Sequence, residues 1–268
     1  NNIYVVHQAK SVGTIDPPAN SVGVTQLNLS DGSNGQFIKT DGSGTLSFAT
    51  VDTSSATDSF TISGSTPTLT IGDAGAEDTK IVFDGNAQDF HIGLDDSADS
   101  LTIGLGSTLG TTSHMVIDAT GAVTKPLQPA FLAKSAAMSN LATATTHDVQ
   151  FSSEVFDQNG DYNTSNYTFT APVTGRYQLS CALKINNIDK DSDYYSANID
   201  AANTGVTIFA VKTPYLFSED TNYHQWAVSM LIDMDANDTA KVTFRPQAGA
   251  AQADINANES LFSGFLVC

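Results

Sequence analysis

Glycine and aromatic side chains occupy opposite halves of this chain. Residues 1–125 hold 15 of its 20 glycines but 6 of its 23 aromatics, and residues 126–268 hold the other 5 glycines and 17 aromatics. Aromatic rings carry much of the area that a compact domain buries. The second half can therefore build a core of its own, and the first cannot. A length of 268 residues allows one large domain or two ordinary ones. The partition favours a thin, glycine-rich part joined to a globular part.

Charge narrows the class of partner. Twenty-nine acids against 11 bases give a net charge of −18, which excludes a nucleic-acid binder working through a broad basic surface. The acids divide 14 to 15 between the halves, so charge does not mark the boundary. All but four of them (Glu77, Glu154, Glu219 and Glu259) are aspartates. Aspartate competes for nearby backbone amides and so favours turns over helix interiors. An all-β chain is expected. With 40% apolar residues it can bury a core, so disorder is not expected. No apolar run reaches the ~20 residues of a membrane span, and no membrane insertion is expected. The sequence begins Asn1-Asn2-Ile3 without an initiator methionine, as a processed product or part of a longer polypeptide does. Cys181 and Cys268 are too few for a disulfide framework, and either one bridge or two buried thiols fits them.

In the glycine-rich half, short β segments alternate with Gly, Asp, Asn and Ser: 60–62, 68–71, 80–84, 90–94, 101–105 and 115–118. Each offers two or three apolar residues on one face, too few for an isolated sheet. Identical chains sharing an axis would complete one another's core, which points to an intertwined homotrimeric stalk. A monomeric β-solenoid is disfavoured because no fixed repeat period is present. Upstream, Asp31-Gly32 and Asp41-Gly42 bracket a short strand at 36–40, with Leu46-Ser47-Phe48 returning after the second turn. Residues Gly35 to Gly44 together with Leu46-Ser47-Phe48 resemble a module of bacteriophage tail fibres, notably marine ones. The segment from Asp84 to Thr124, with Gly93-Leu94-Asp95 and Asp118 to Val123, is similar to the same class of fibre.

The aromatic half reads as longer strands. A turn at 159–163 leads to a strand at 167–169, and a second turn at 171–175 leads to 176–183, with Tyr177, Leu179 and Cys181 on one face. Further strands are expected at 206–211, 225–232, 240–244 and 261–267, with 130–132 and 149–151 in front, as a two-sheet antiparallel sandwich. The order of Tyr162, the run Tyr167 to Pro172, Gly175, Tyr177, Leu179 and the closing Phe262 to Leu266 resembles the globular head of complement and its tumour-necrosis-factor-like relatives. The paired strands of that family fit 231–242, although Asn237-Asp238 stands where the family usually has Gly-Asp. The resemblance implies a trimeric jelly roll, with Tyr177, Leu179, Phe262 and Phe265 in its core or trimer contacts. The expected organisation is an N-terminal fibre or attachment segment (1–57), a glycine-rich intertwined β stalk (58–125) and a jelly-roll head (126–268).

Strand parity in an eight-stranded jelly roll puts the loops at 157–166, 186–195, 213–223 and 247–259 away from the stalk, and 171–175 towards it. The receptor-binding candidates on the distal loops are Asp157, Asp161, Tyr162, Tyr194, Tyr215, Phe217, Glu219, Asp220 and Tyr223. Acidic and aromatic side chains on an exposed tip suit a carbohydrate, whereas ordinary solvated loops are the plainer reading. Asp189, Asp191 and Asp193 space their acids like a calcium loop, but Tyr194 stands where a sharp turn needs glycine, so an EF-hand is rejected. A Ca²⁺ at a trimer tip remains an alternative, and no cofactor is required. The five histidines lack metal-ligand spacing, and neither a dinucleotide loop nor a nucleophile elbow is present.

The expected function is a virion fibre protein without enzymatic activity, located on a tail fibre or other surface appendage. Its expected partners are two further copies of itself, other virion proteins through the N-terminal part, and a host surface glycan or protein. A non-receptor structural or decoration protein is the alternative. A polysaccharide depolymerase is the third class, because a carboxylate pair can be assembled across chains.

Overall fold

The computed structural model of the chain describes residues 32–50, 61–202, 206–250 and 252–268. The chain divides into two compact units, residues 1–70 and 71–268. In the first, β1 (Phe37–Thr40) and β2 (Leu46–Ala49) form an antiparallel hairpin with Thr40 opposite Leu46. Its turn is closed by Asp41, whose Oδ1 accepts from the amides of Ser43 at 2.7 Å and Thr45 at 3.0 Å. Gly42 and Gly44 take φ of +76° and +94°, the left-handed region that glycine enters without steric cost. Residues 1–31 and 51–57 of the expected 1–57 segment, and Phe60 of the expected 60–62 strand, lie outside the described residues. Residues 68–71 form no strand, and their apolar side chains Leu69 and Ile71 stand exposed.

The second unit starts with a meander: β3 (Thr79–Phe83), β4 (Phe90–Asp95), β5 (Ser100–Leu105), β6 (Ser113–Ile117) and β7 (Val123–Thr124). Each strand pairs antiparallel with the next one in the same chain. Each ladder of the meander is thus complete within the single chain, where an intertwined stalk had been expected. Short turns let each strand find its partner locally, and local pairing closes with the least loss of chain entropy.

Register sorts the meander's side chains by face. Phe83, Phe90 and Leu105 form one row, Ile81, Ile92, Ile103 and Met115 the next, and Thr79, Leu94, Leu101, Ile117 and Val123 the third. The opposite face carries His91, Gly93, Asp95, Ser100, Thr102 and Gly104, all buried. The connection between β5 and β6 folds over this second face. His91 Nδ1 meets the Gly106 carbonyl at 2.9 Å, Lys80 Nζ donates to the Ser107 carbonyl, and Leu109 is buried. A Cβ on Gly104 would stand 2.5 Å from the Thr112 carbonyl oxygen, so glycine permits this cover.

The rest of the unit is a two-sheet sandwich. Its strands are β8 (Ala130–Lys134), β9 (Met138–Leu141), β10 (His147–Asp148), β11 (Ser153–Asp157), β12 (Tyr162–Asn163), β13 (Thr168–Thr170) and β14 (Gly175–Asn186). They continue as β15 (Tyr194–Ala201), β16 (Val206–Lys212), β17 (His224–Met234), β18 (Thr239–Gln247), β19 (Ala253–Ile255) and β20 (Leu261–Leu266). One sheet runs β11-β8-β20-β14-β17, with β19 and β9 continuing from the Asn186 end of β14. The other runs β12-β13-β18-β15-β16, with β10 also on β18. This crossed order is a jelly roll.

Alternation builds the core. Along β14, Tyr177, Leu179, Cys181, Leu183 and Ile185 face inward, and along β17 so do Trp226, Met230, Ile232 and Met234. Between the sheets the Phe131 ring stacks on Tyr162 and on Phe169, each at 4.9 Å, and meets the edge of Phe262 at 5.0 Å. Gly264 allows this packing, because a Cβ there would come within 2.6 Å of Leu179 and 2.7 Å of Phe131. Val149 and Phe151 join the core without forming the expected strand. Cys181 is buried in the core and Cys268 is exposed; both are free thiols, and no bridge joins them.

The outer face of the β8-containing sheet mixes small, apolar and serine side chains and is nearly uncharged. Across it, Leu231, Gln178, Phe265 and Ala130 form one row, and Ser229, Ser180, Ser263, Leu132 and Phe156 the next. A third row holds Ala227, Ala182, Leu261, Lys134 and Ser153. Three rows with one charged side chain are unusual on a chain of net charge −18.

Candidate functional site

The sandwich has two distinct ends. The near end, where the chain enters from the meander, carries Ala130, Gly175, Met234 and Leu266. The far end carries Asn186, Tyr194, His224 and Gln247. There the turn after β14 and the loop before β17 are tied together by reciprocal backbone bonds between Ile188 and Thr221, at 2.9 and 3.0 Å. Asn187 N–H donates to Asn222 Oδ1 at 2.8 Å, and Lys190 N–H donates to Asp220 Oδ1 at 3.0 Å. Asn187 Nδ2 donates to Asp254 Oδ2 at 2.7 Å.

These bonds frame a cleft of about 280 Å³ lined by Asn187, Asp220, Thr221, Asn222 and Gln252. Every lining side chain is polar. The Asn222 amide nitrogen, the second oxygen of Asp220 and the Gln252 amide provide donors and acceptors suited to vicinal hydroxyl groups. Beside the cleft, Tyr223 is 70% exposed, and Lys184 Nζ stands 4.9 Å from the centre of its ring. Tyr215 and Leu216 project nearby on a one-turn 3-10 segment, at 70% and 77% exposure.

The residues expected at the tip fall into three groups. Glu219, Asp220, Tyr215 and Tyr223 are at the far end and exposed. Tyr194 is at the same end but half-buried, and Phe217 packs back onto the core with its ring 5.1 Å from His224. Asp157, Asp161 and Tyr162 are at the near end, because Asp157 pairs with Phe131 and Gln158 N–H donates to the Ala130 carbonyl. Parity misplaced them because the chain makes an extra pass. It runs out along β8, turns through β9 and β10, and returns along β11 before β12 begins.

Their local chemistry is structural. Asp157 accepts from the amides of Gly160, Asp161 and Tyr162 at 2.9–3.1 Å and closes its own turn. Tyr162 donates its hydroxyl to the Phe151 carbonyl at 2.9 Å, and burial pushes its ionisation well above the usual phenol range. Burial, and to a lesser extent the Asp157 charge, also raises the Asp161 carboxyl above its ordinary value.

Within the single chain the three aspartates expected to space like a calcium loop are not gathered together. Asp189 is buried, with Oδ1 accepting from Asp191 N–H at 2.8 Å and Oδ2 from Ala250 N–H at 2.5 Å, while Asp191 and Asp193 are exposed. Lys190 Nζ pairs with Asp191 at 2.6 Å. Among the described residues no group of three or more His, Cys, Asp or Glu side chains is placed to hold a metal ion. Tyr177, Leu179 and Phe262 are fully buried core residues, whereas Phe265 is half-exposed on the outer face of the β8 sheet.

Asn187, Thr221, Asn222 and Gln252 escaped the sequence reading. Loops full of Asn and Asp gave no spacing to separate amides that line a cleft from amides that close turns. Of the acidic and aromatic residues that the sequence singled out on this loop, Asp220 lines the cleft.

A charge-poor outer sheet face and a polar cleft at the opposite end from the chain entry are the two surface features of this jelly roll. The C1q domain model matches residues 130–267, just over half of the chain, and the chain belongs to that family. Domains of this C1q and tumour-necrosis-factor-like class typically form homotrimers and are often involved in binding. Among solved structures, the chain is similar to the globular domain of zebrafish complement 1qA protein (17% identity, TM-score 0.41), over 53% of this chain and 98% of that one. It is also similar to murine APRIL (10% identity, TM-score 0.40), over 52% of this chain and 99% of that one. No curated protein matches the chain.

Proposed function

We propose that this chain is a bacteriophage fibre protein, a homotrimer on the virion surface whose far end adheres to a host-cell glycan without chemical turnover. The far-end cleft formed by Asn187, Asp220, Thr221, Asn222 and Gln252 carries this reading. Amide and carboxylate groups fixed by backbone bonds suit sugar hydroxyls, and the exposed Tyr223 ring beside them suits the apolar face of a sugar. The small, nearly uncharged outer face of the β8 sheet, with Leu231, Phe265, Leu132, Phe156 and Leu261 on it, supports trimer formation, since few charges would have to be desolvated there. Three shallow clefts presented together raise avidity beyond that of any one. The short β segments of the glycine-rich half, in the β1–β2 hairpin and in the meander, support a fibre that holds such a tip away from the particle.

Competition tests this reading. Purified full chain in excess should block adsorption of the parent phage, and the Asp220→Ala, Asn222→Ala double variant should not. Equal blocking by the variant would remove the cleft from the reading. No blocking by either protein would favour a non-receptor structural part.

A further inference from the structure

The meander is built inside out for a lone chain. Its polar face is the covered one, sealed by the connection between β5 and β6 through His91, Lys80 and Leu109. The eleven apolar residues of the three rows described above occupy the uncovered face. Phe83 is 61% exposed, Val123 57% and Leu94 45%, and Ile103, on the central strand, is 37% exposed. Soluble monomers rarely expose contiguous apolar patches larger than about a few hundred Å², and three adjacent rows across five strands exceed that. A chain meant to stay single would fold its one covering loop over this side instead.

We propose that the apolar face of β3–β7 packs against the same face of two further copies, so that three self-contained sheets form the sides of a prism with Ile103 and its row nearest the axis. The occupant is a second and third copy of this chain, for two reasons. The meander and the C1q-type head form one compact unit, and domains of this class typically assemble in threes. Three heads held together bring three meanders side by side, each with the same uncovered face. The apolar surface is also continuous with the head: Val123, at the end of the third row, lines a cleft of about 540 Å³ with Phe265, Leu266 and Val267. The proposal shares with the proposed function only the count of three and is independent of any glycan.

Site-directed cross-linking tests it. In a Cys268→Ser background, where the remaining Cys181 is fully buried, Ile103→Cys places one thiol on the apolar face and Lys80→Cys places one on the opposite face. A short bis-maleimide should give a two-chain band on a denaturing gel for Ile103→Cys and none for Lys80→Cys. Native mass spectrometry of the same samples should give three chains. A one-chain mass overturns the proposal. So does a three-chain mass in which Ile103→Cys fails to link, or in which Lys80→Cys links equally well. Because the readout is a cross-link, it stands whether or not the tip binds sugar.

Discussion

Lys184 and Tyr223 face each other at the far end of the head, with the ammonium 4.9 Å from the centre of the phenol ring and bonded to Glu259 at 2.8 Å. Tyr223 takes a φ of +61°, an unusual conformation for a residue with a side chain, and its N–H donates to Asn186 Oδ1 at 3.2 Å. The ring is thus held out beside the cleft and not folded onto the core. An exposed cation–π contact contributes about 0.5–1 kcal/mol.

Tyr223→Ala should therefore leave the fold intact and weaken glycan binding by roughly tenfold, as loss of one stacking ring does. Lys184→Ala should weaken it by a smaller factor, because the ring remains but loses its positioning partner. Titration of a bound host glycan, with circular dichroism as the control for folding, measures both. Unchanged affinity in Tyr223→Ala would remove that ring from the site.

Phe262 and Phe265 lie three residues apart and should behave differently. Phe262 is fully buried against Phe131 and Phe151, and Phe262→Ala should destabilise the head by about 3–5 kcal/mol. Phe265 is half-exposed on the outer sheet face, so Phe265→Ser should leave the isolated head nearly as stable while weakening association between copies. Denaturant titration at low concentration separates the first effect, and sedimentation across a concentration series the second. Equal destabilisation by both substitutions would contradict the division between core and outer face.

Three buried tyrosines set an alkaline limit. Tyr162, Tyr177 and Tyr195 all hold their protons above the ordinary value of 10.0, in each case chiefly through burial. The folded state binds these protons more tightly than the unfolded state. Their contribution is therefore complete below pH 10 and is lost as pH rises past it. Melting temperature should fall steeply above pH 10, together with a cooperative rise in tyrosinate absorbance. Tyr162→Phe leaves the Phe151 carbonyl without its donor, so it should cost about 1–2 kcal/mol at pH 8 and lessen the fall above pH 10.

Several parts of this fold were legible because their signals are local. Alternation marked β14 and β17, and Asp41-Gly42 marked the first hairpin. The run from Phe262 to Leu266 showed its meaning through family resemblance, and Gly264 explains it physically, since nothing larger fits between Leu179 and Phe131. The ends of the sandwich were less legible. Strands as short as β9 and β10, four and two residues long, leave almost no periodic trace, yet the pass they belong to moves Asp157, Asp161 and Tyr162 to the other end. Which face of the meander is covered was also hidden, because the cover is made by backbone carbonyls at Gly106 and Ser107 meeting side chains on other strands.

Every ladder between Thr79 and Thr124 closes within one chain. Parting two copies across the meander's apolar face would break no main-chain hydrogen bond of that sheet, only expose oily surface to water. Copies joined across that face, as proposed above, would be assembled from finished parts. They could part and rejoin without refolding, and the durability of the contact would depend on protein concentration instead of topological entanglement.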